Sequence, residues 1–343
     1  MTKSILVLKL GSASITTNAE IDEAIIADIT RQVAELSTTY HIILVSSGAV
    51  AAGKKFLKNY KGKITERKAA AAIGNPLLLG TYSKYFQPYG ISIAQSLCER
   101  QHFSNRTQFL QLKETYEELW RNGVIPIANE NDVVSNLELK FSDNDELATL
   151  LGVGFGASLI LLGTSVPGVL DKNGKVVERI EMINNDVFSL ATRNTSEVGL
   201  GGMTSKLTFA NLATTMGIKV VIFGVKTEDG ILRAVTEKTG TVCEPRACSI
   251  PARNKWLASG SLVTGRLTVD EGASKAIRDR KSLLAVGVQS IQNHFNTAEI
   301  FEIIDPNGMI VAVAKSKVIS SAITQDAKQH NLEIANASDI VIL

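Results

Sequence analysis

Short, almost wholly apolar runs recur through the first two thirds of the chain, and they constrain its fold more than any other feature. Ile5–Leu10, His41–Ser46, Ile91–Ala94, Val124–Ala128, Leu159–Leu162 and Ile218–Phe223 are of strand length and show no alternation of polar and apolar residues. Strands of that kind are buried on both faces, which calls for a mostly parallel sheet with helices on each side. The intervening segments carry helical spacing instead. Ile21–Leu36 repeats Ile21, Ala24, Ile25, Ile29, Val33 and Leu36; Arg106–Trp120 is a helix between two strands, and the small residues after Gly48 open another. The expectation is an α/β fold with its sheet sandwiched between helical layers.

Polar clusters follow directly on the strand ends: Gly11-Ser12, Ser47-Gly48, Asn129-Glu130-Asn131-Asp132 and Gly163-Thr164-Ser165. In open α/β sheets a ligand lies outside the carboxyl ends of the strands. Clusters at several such ends therefore predict one shared site.

Beyond Phe223 the texture changes. Glu244–Asn254, with Pro245 and Pro251, reads as connecting chain, and from Ser261 the segments are short and β-like: Leu262–Val269, Leu284–Val288, Ile300–Ile304 and Met309–Ala314. Asp305-Pro306-Asn307-Gly308 is a hairpin turn, and Glu271–Arg278 a short helix. A chain of 343 residues has room for two domains. The expected division is a first domain over residues 1–250, a linker over 251–260 and a small β-rich domain over 261–343.

Charge and cysteine content exclude several classes. The net charge of +2 gives no argument for a nucleic-acid or membrane partner. From Asn254 to Leu343 there are nine Lys/Arg and nine Asp/Glu, so RNA binding through the second domain is weakly supported; Arg278, Arg280 and Lys281 form either a local basic patch or a solvated helix end. Cys98, Cys243 and Cys248 lack the spacing of a disulfide framework or zinc site. The N-terminal run is interrupted by Lys9, unlike a secretory signal. Leu147–Leu170 holds no charged residue, but its glycines and Pro167 break a spanning helix, so it reads as a buried helix end running into a buried strand. A cytoplasmic location is expected.

Within the strand-end clusters, particular residues carry chemistry. Lys9 lies at the end of an apolar strand, where a lysine either snorkels to water or meets an anion. Gly48 lets backbone approach a ligand at a helix start, and Ser47 beside it is either a cap or a ligand contact. Asn129-Glu130-Asn131-Asp132 stacks two amides and two carboxylates behind a strand, which either suits a ligand carrying both charges or is a solvated loop. Asp143-Asn144-Asp145 opens a helix, where acidic groups are favourable with the dipole. Gly199-Leu200-Gly201-Gly202-Met203-Thr204-Ser205-Lys206 places glycines before a helix, able to wrap phosphates with N–H groups, with Lys206 one turn in. It departs from the GxxxxGK[ST] phosphate loop.

Taken together, VLKLGS at Val7–Ser12, SSGAVAAG at Ser46–Gly53, ANENDVV at Ala128–Val134, FSDNDELA at Phe141–Ala148 and GLGGMTSKL at Gly199–Leu207 resemble the glutamate 5-kinase branch of the amino-acid kinase family. LTVDEGASKAI at Leu267–Ile277 and KSLLAVGV at Lys281–Val288 are similar to the PUA domain that follows the kinase domain in many bacterial members. The resemblance spans nearly the whole chain. It implies ATP-dependent phosphorylation of the γ-carboxylate of L-glutamate, the first step of proline biosynthesis, with magnesium accompanying ATP. It implies that Lys9 and Lys206 act on the phosphates and that Asp145 organises them. Ser47, Gly48, Asn129, Asp132 and Asn144 would then hold glutamate. Gly11, Thr164, Ser165 and the segment Leu200, Gly201, Gly202, Met203, Thr204, Ser205 and Lys206 would line the nucleotide. It further implies proline as feedback inhibitor and a homo-oligomer. No residue set is singled out for the metal. The chain departs from the family at Ser165, where an aspartate is usual, and at Leu200, where a threonine is common. N-acetylglutamate or aspartate remains open as an alternative acceptor.

Overall fold

The computed structural model describes residues 3–18, 20–104, 106–134, 143–192, 202–247, 263–297, 299–324 and 332–342. The expected linker at 251–260 lies outside them, as do Leu200 and Gly201. The chain divides into two compact units, Met1–Glu99 with Leu112–Cys248, and Arg100–Gln111 with Ser249–Leu343.

The first unit is built on an eight-stranded sheet. Its strands are β1 (Ser4–Leu10), β2 (Tyr40–Ser46), β3 (Ser92–Cys98), β4 (Val124–Glu130), β5 (Leu159–Thr164), β6 (Arg179–Ile180), β7 (Lys219–Gly224) and β8 (Thr241–Cys243). They lie in the order β3-β4-β2-β1-β5-β7-β8-β6. Every pairing is parallel except β7 with β8. The mostly parallel sheet follows from the uninterrupted aliphatic runs: Leu6, Val7, Leu8 and Leu10 of β1 are fully buried, because helices cover both faces.

The helices are α1 (Glu23–Leu36), α2 (Ala49–Gly53), α3 (Ile64–Phe86), α4 (Arg106–Arg121), α5 (Asn144–Phe155), α6 (Asn185–Thr192), α7 (Met203–Thr215) and α8 (Gly230–Val235). Asp22 caps α1 by accepting from the N–H groups of Ala24 and Ile25, so that helix starts at Glu23 rather than at Ile21. The uncharged stretch from Leu147 is the buried end of α5 followed by β5. No helix among the described residues is long and apolar enough to cross a membrane.

One long helix, α3, has no counterpart in the sequence reading. Gly74, Pro76 and Gly80 interrupt its pattern, and such breakers argue against a helix interior. Packing overrides them. A Cβ on Gly74 would lie 1.7 Å from the carbonyl oxygen of Ala49, and one on Gly53 would lie 1.9 Å from that of Ala70. The backbones of α2 and α3 are thus in direct contact, which only glycine at those two positions permits.

The second unit contains a five-stranded sheet of β9 (Val263–Val269), β10 (Val288–Gln292), β11 (Ile300–Ile304), β12 (Ile310–Lys315) and β13 (Ile340–Ile342), ordered β10-β9-β11-β12-β13. Helix α9 spans Glu271–Arg278 and is capped by Asp270. The Asp305–Gly308 turn joins β11 to β12 as an antiparallel hairpin, with Asp305 accepting from the N–H groups of Asn307 and Met309. The expected strand Leu284–Val288 is corrected: Leu283–Leu284 forms a two-residue ladder with Glu333–Ala335, and Ala285–Gly287 is a 3-10 turn before β10. Ala285 and Gly287 fall in a tight turn against α9, where a Cβ on Gly287 would lie 2.4 Å from Ala273 Cβ. The core of this unit is its own, formed by Leu267, Val269, Ile277, Phe301 and Ile303 among others.

Candidate active site

Lys9 sits in the middle of the sheet, level with Val45 of β2 and Leu162 of β5, and is only 4% exposed. A lysine cannot be held there without a counter-charge, since an unpaired buried ammonium is strongly unfavourable. Asp145, wholly buried in the first turn of α5, supplies it: Oδ1 is 2.6 Å from Lys9 Nζ. The other carboxylate oxygen, Oδ2, is 2.8 Å from Nζ of Lys206, itself 5% exposed in α7. Two ammonium groups from distant parts of the chain therefore share one carboxylate. These direct contacts leave one positive charge over.

The protonation of this group follows from its setting. For Asp145, burial alone would push the carboxyl up, but Lys206 and then Lys9 outweigh it by charge and hydrogen bonding and hold it below the usual carboxylate range. For Lys9, burial pulls the ammonium down and the nearby Lys206 adds to that, while Asp145 opposes both. Asp145 is thus the main support of the charged form of Lys9.

Asp143 fixes the geometry and was missed as a site residue. It caps α5 by accepting from the N–H groups of Asp145 at 2.8 Å and Glu146 at 3.2 Å. Its second oxygen accepts from the Ser205 hydroxyl, which ties the start of α7 to the start of α5. Gly202 caps α7 in an extended conformation, and the N–H of Lys206 donates to its carbonyl. The signal for Asp143 was the capping position itself, where a side chain can serve helix and site together.

A second polar cluster surrounds Ser47. The Asn144 Nδ2 donates to Ser47 Oγ at 2.7 Å and to Asn129 Oδ1 at 2.9 Å. Asn129 Nδ2 in turn donates to Asn75 Oδ1 of α3 at 3.3 Å. Gly48 has φ +113°, and a Cβ there would lie 2.9 Å from Ile15 Cδ1, so the turn into α2 requires glycine. Since Asn144 and Asp145 are neighbours, the amide cluster and the lysine pair adjoin.

The remaining predicted residues among those described occupy strand ends, turns and a helix start of the first unit. Gly11 follows β1, and a Cβ on it would lie 3.6 Å from Lys9 Nζ. Asp132 is half-buried in the turn after β4. Thr164 ends β5, its carbonyl accepting from the N–H of Val225, and Ser165 beyond it is exposed. Met203 and Ser205 are half-buried and Thr204 exposed on the first turn of α7. Asn75 was missed because a single amide in a run of alanines and glycines carries no pattern.

Among the described residues no group of three or more His, Cys, Asp or Glu is placed to hold a metal ion. Both Asp145 oxygens are already taken by lysines. The described residues do not fit a resident magnesium site.

Residues 4–224 match the model of the amino acid kinase family, and residues 265–337 that of the PUA domain. Glutamate 5-kinase of Thermotoga maritima is 36% identical over 89% of this chain and 86% of its own. That of Caldanaerobacter subterraneus is 34% identical over 96% of this chain and 92% of its own. That of Vibrio vulnificus is 32% identical over 96% and 90%. In fold, the solved carbamate kinase of Giardia lamblia bound to AMP-PNP superposes with a TM-score of 0.52 at 15% identity, covering 71% of this chain and 98% of that one. With a family match over most of its length and relatives of this closeness along nearly all of it, the chain belongs to the amino acid kinase family and carries a C-terminal PUA domain.

Proposed function

We propose that this chain is a glutamate 5-kinase, transferring the γ-phosphoryl group of ATP to the γ-carboxylate of L-glutamate in the first step of proline biosynthesis. The observation that carries the reading is the buried Lys9–Asp145–Lys206 group, whose direct contacts leave a positive charge unmatched beside the amide cluster at Ser47. Relatives named glutamate 5-kinase that align over nearly the whole chain support the choice of acceptor. A carboxylate, with a reference pKa of about 4.3 in glutamate, is already a nucleophile at neutral pH and needs no general base. The obstacle is repulsion between two anions and the charge spread over the transferring group, and phosphoryl transfer is catalysed mainly by positioning and electrostatic stabilisation.

In this reading Lys9 and Lys206 contact the phosphates and Asp145 holds the two ammonium groups at working separation. Gly11, Thr164, Ser165 and the segment from Leu200 to Lys206 line the nucleotide, and Ser47, Gly48, Asn129, Asp132 and Asn144 hold glutamate. ATP enters as its magnesium complex, the ion being carried by the phosphates and water. The kinase domain spans 1–250 and the PUA-like domain 261–343, with 251–260 between them. Proline inhibits by competing near the glutamate site, and the enzyme works as a cytoplasmic homo-oligomer. RNA binding by the second domain is the lesser reading, given the neutral charge balance from Asn254 onward.

The test is a hydroxamate assay with ATP and magnesium against L-glutamate, N-acetylglutamate and L-aspartate, with and without proline. Hydroxamate formed from glutamate, suppressed by proline, is the expected result. Turnover of N-acetylglutamate or aspartate in preference to glutamate would overturn the acceptor assignment.

A further inference from the structure

The chain between α2 and the second turn of α3 concentrates positive charge. Residues 54–68, KKFLKNYKGKITERK, hold seven Lys/Arg and one carboxylate. The whole protein has a net charge of only +2, so everything outside this segment is net acidic. A near-neutral total thus hides a local basic surface, the electrostatic footprint that a polyanion calls for.

Local structure holds the segment at the surface. Lys54–Phe56 is a 3-10 turn continuing α2, and the chain then bends through two left-handed residues, Asn59 at φ +58° and Gly62 at φ +78°. Glu66, the one carboxylate of the segment, accepts from the N–H groups of Lys61 at 2.7 Å and Lys63 at 3.1 Å, which fixes the loop onto the first turn of α3. It is engaged with backbone rather than with an ammonium group. Lys55, Lys58, Lys61, Lys63 and Arg67 are exposed. Among the described residues, Lys55 alone of these has an ion pair, with Glu20 at 3.6 Å, and so exposed a contact contributes little.

Aromatic rings lie between the cations. Phe56 is 56% exposed, with Lys55 Nζ 5.9 Å from the centre of its ring, and Tyr60 is half-buried. A ring offered between lysines gives a face for a base and charges for the phosphates on either side of it. A lipid surface fits less well. Of the apolar side chains here only Phe56 and Ile64 are largely exposed, and three lysines stand between them, so they make no continuous apolar face.

We propose that residues 54–68 are a docking surface for single-stranded nucleic acid, the lysines neutralising successive phosphates and Phe56 stacking a base. The segment holds none of the residues placed at the substrates, and the inference does not depend on which acceptor is phosphorylated. It puts nucleic-acid binding on the first unit, where the charge is, rather than on the neutral stretch from Asn254 onward.

The experiment titrates the full chain into a labelled oligouridylate of about twelve nucleotides and follows fluorescence anisotropy between about 50 and 200 mM salt. Circular dichroism checks that each variant is folded. Binding is expected to weaken about fiftyfold over that range, the slope for about four neutralised phosphates on a single strand. The triple variant Lys55→Glu, Lys58→Glu, Lys61→Glu is expected to bind about tenfold more weakly or worse, with a shallower salt slope. Phe56→Ala is expected to bind about tenfold more weakly with the slope kept, the loss of one stacked base. Arg280→Glu with Lys281→Glu, in the second unit, is expected to leave the affinity unchanged. No binding at the lowest salt overturns the proposal, and so does full affinity in the triple variant or a loss confined to the Arg280 and Lys281 pair. Full affinity in Phe56→Ala overturns it as well, since lysines alone make an unspecific polyanion surface. Sedimentation with phosphatidylcholine vesicles containing phosphatidylserine completes the test: capture by vesicles without binding to the oligonucleotide assigns the surface to lipid instead.

Discussion

Lys9 and Lys206 are both buried, both paired to Asp145, and yet differ in how they were legible. Lys9 stood out because a cation inside an aliphatic strand needs a reason, and Lys206 because it follows glycines at a helix start; nothing in the spacing said that one aspartate bridges them. The family resemblance did. The pair predicts a division of effects. Lys206→Ala should lower kcat by about a hundredfold or more, the scale of losing one electrostatic stabiliser, with little change in KM for glutamate. Asp132→Ala should do the opposite, raising KM for glutamate with kcat largely kept; steady-state kinetics on both variants checks the split. Asp145 has a pH signature. Its charge and hydrogen bond hold up the ammonium of Lys9 against burial, so Asp145→Asn lets Lys9 lose its proton at lower pH. The alkaline limb of the kcat/KM profile should therefore move to lower pH in that variant, and an unmoved limb would detach it from Lys9. For stability the sign is the usual one for a carboxyl held low on folding. The contribution of Asp145 is present above its unfolded pKa of about 3.9 and is lost as pH falls through the lower folded value.

At the scale of elements, the strands were the most readable part. The aliphatic runs became strands, the central ones because burial on two faces leaves a chemical mark that neighbours cannot blur, while β3 at the sheet edge is only partly buried. The short strands β6 and β8 at one end of the sheet were not seen, being two and three residues long and carrying no pattern. Helix α3 was hidden for the opposite reason, since its glycines and proline lower helix propensity while Gly74 serves contact with α2. That contact is the place to test the element. Gly74→Ala puts a methyl into the Ala49 carbonyl and should cost about 3 kcal/mol by overpacking, read as a lower denaturant midpoint. Gly80→Ala, where a Cβ meets nothing within 4 Å, is the control and should be neutral or mildly stabilising. Equal effects at the two positions would mean that the helix contact is not what Gly74 serves.

For the whole molecule, each unit encloses its own hydrophobic cluster, one around Leu8, Ile29, Tyr82 and Phe223, the other around Leu267, Phe301 and Ala312. Separate cores predict separate cooperative transitions in scanning calorimetry. Saturating ATP analogue should raise only the transition of the first unit, by about 2.7 kcal/mol at a hundredfold excess over Kd. A single transition that moves as one with ligand would contradict the division.

The charged centre joins β1 to the starts of α5 and α7, segments that are neighbours only after the parallel strands have registered. No fragment can rehearse it. During refolding from denaturant, phosphoryl-transfer activity should consequently appear as a late event, trailing the recovery of helical circular dichroism, because strand pairings distant along the chain are slow to close. Enzyme turnover thereby becomes a clock for completion of the sheet, one that local helix formation alone cannot set running.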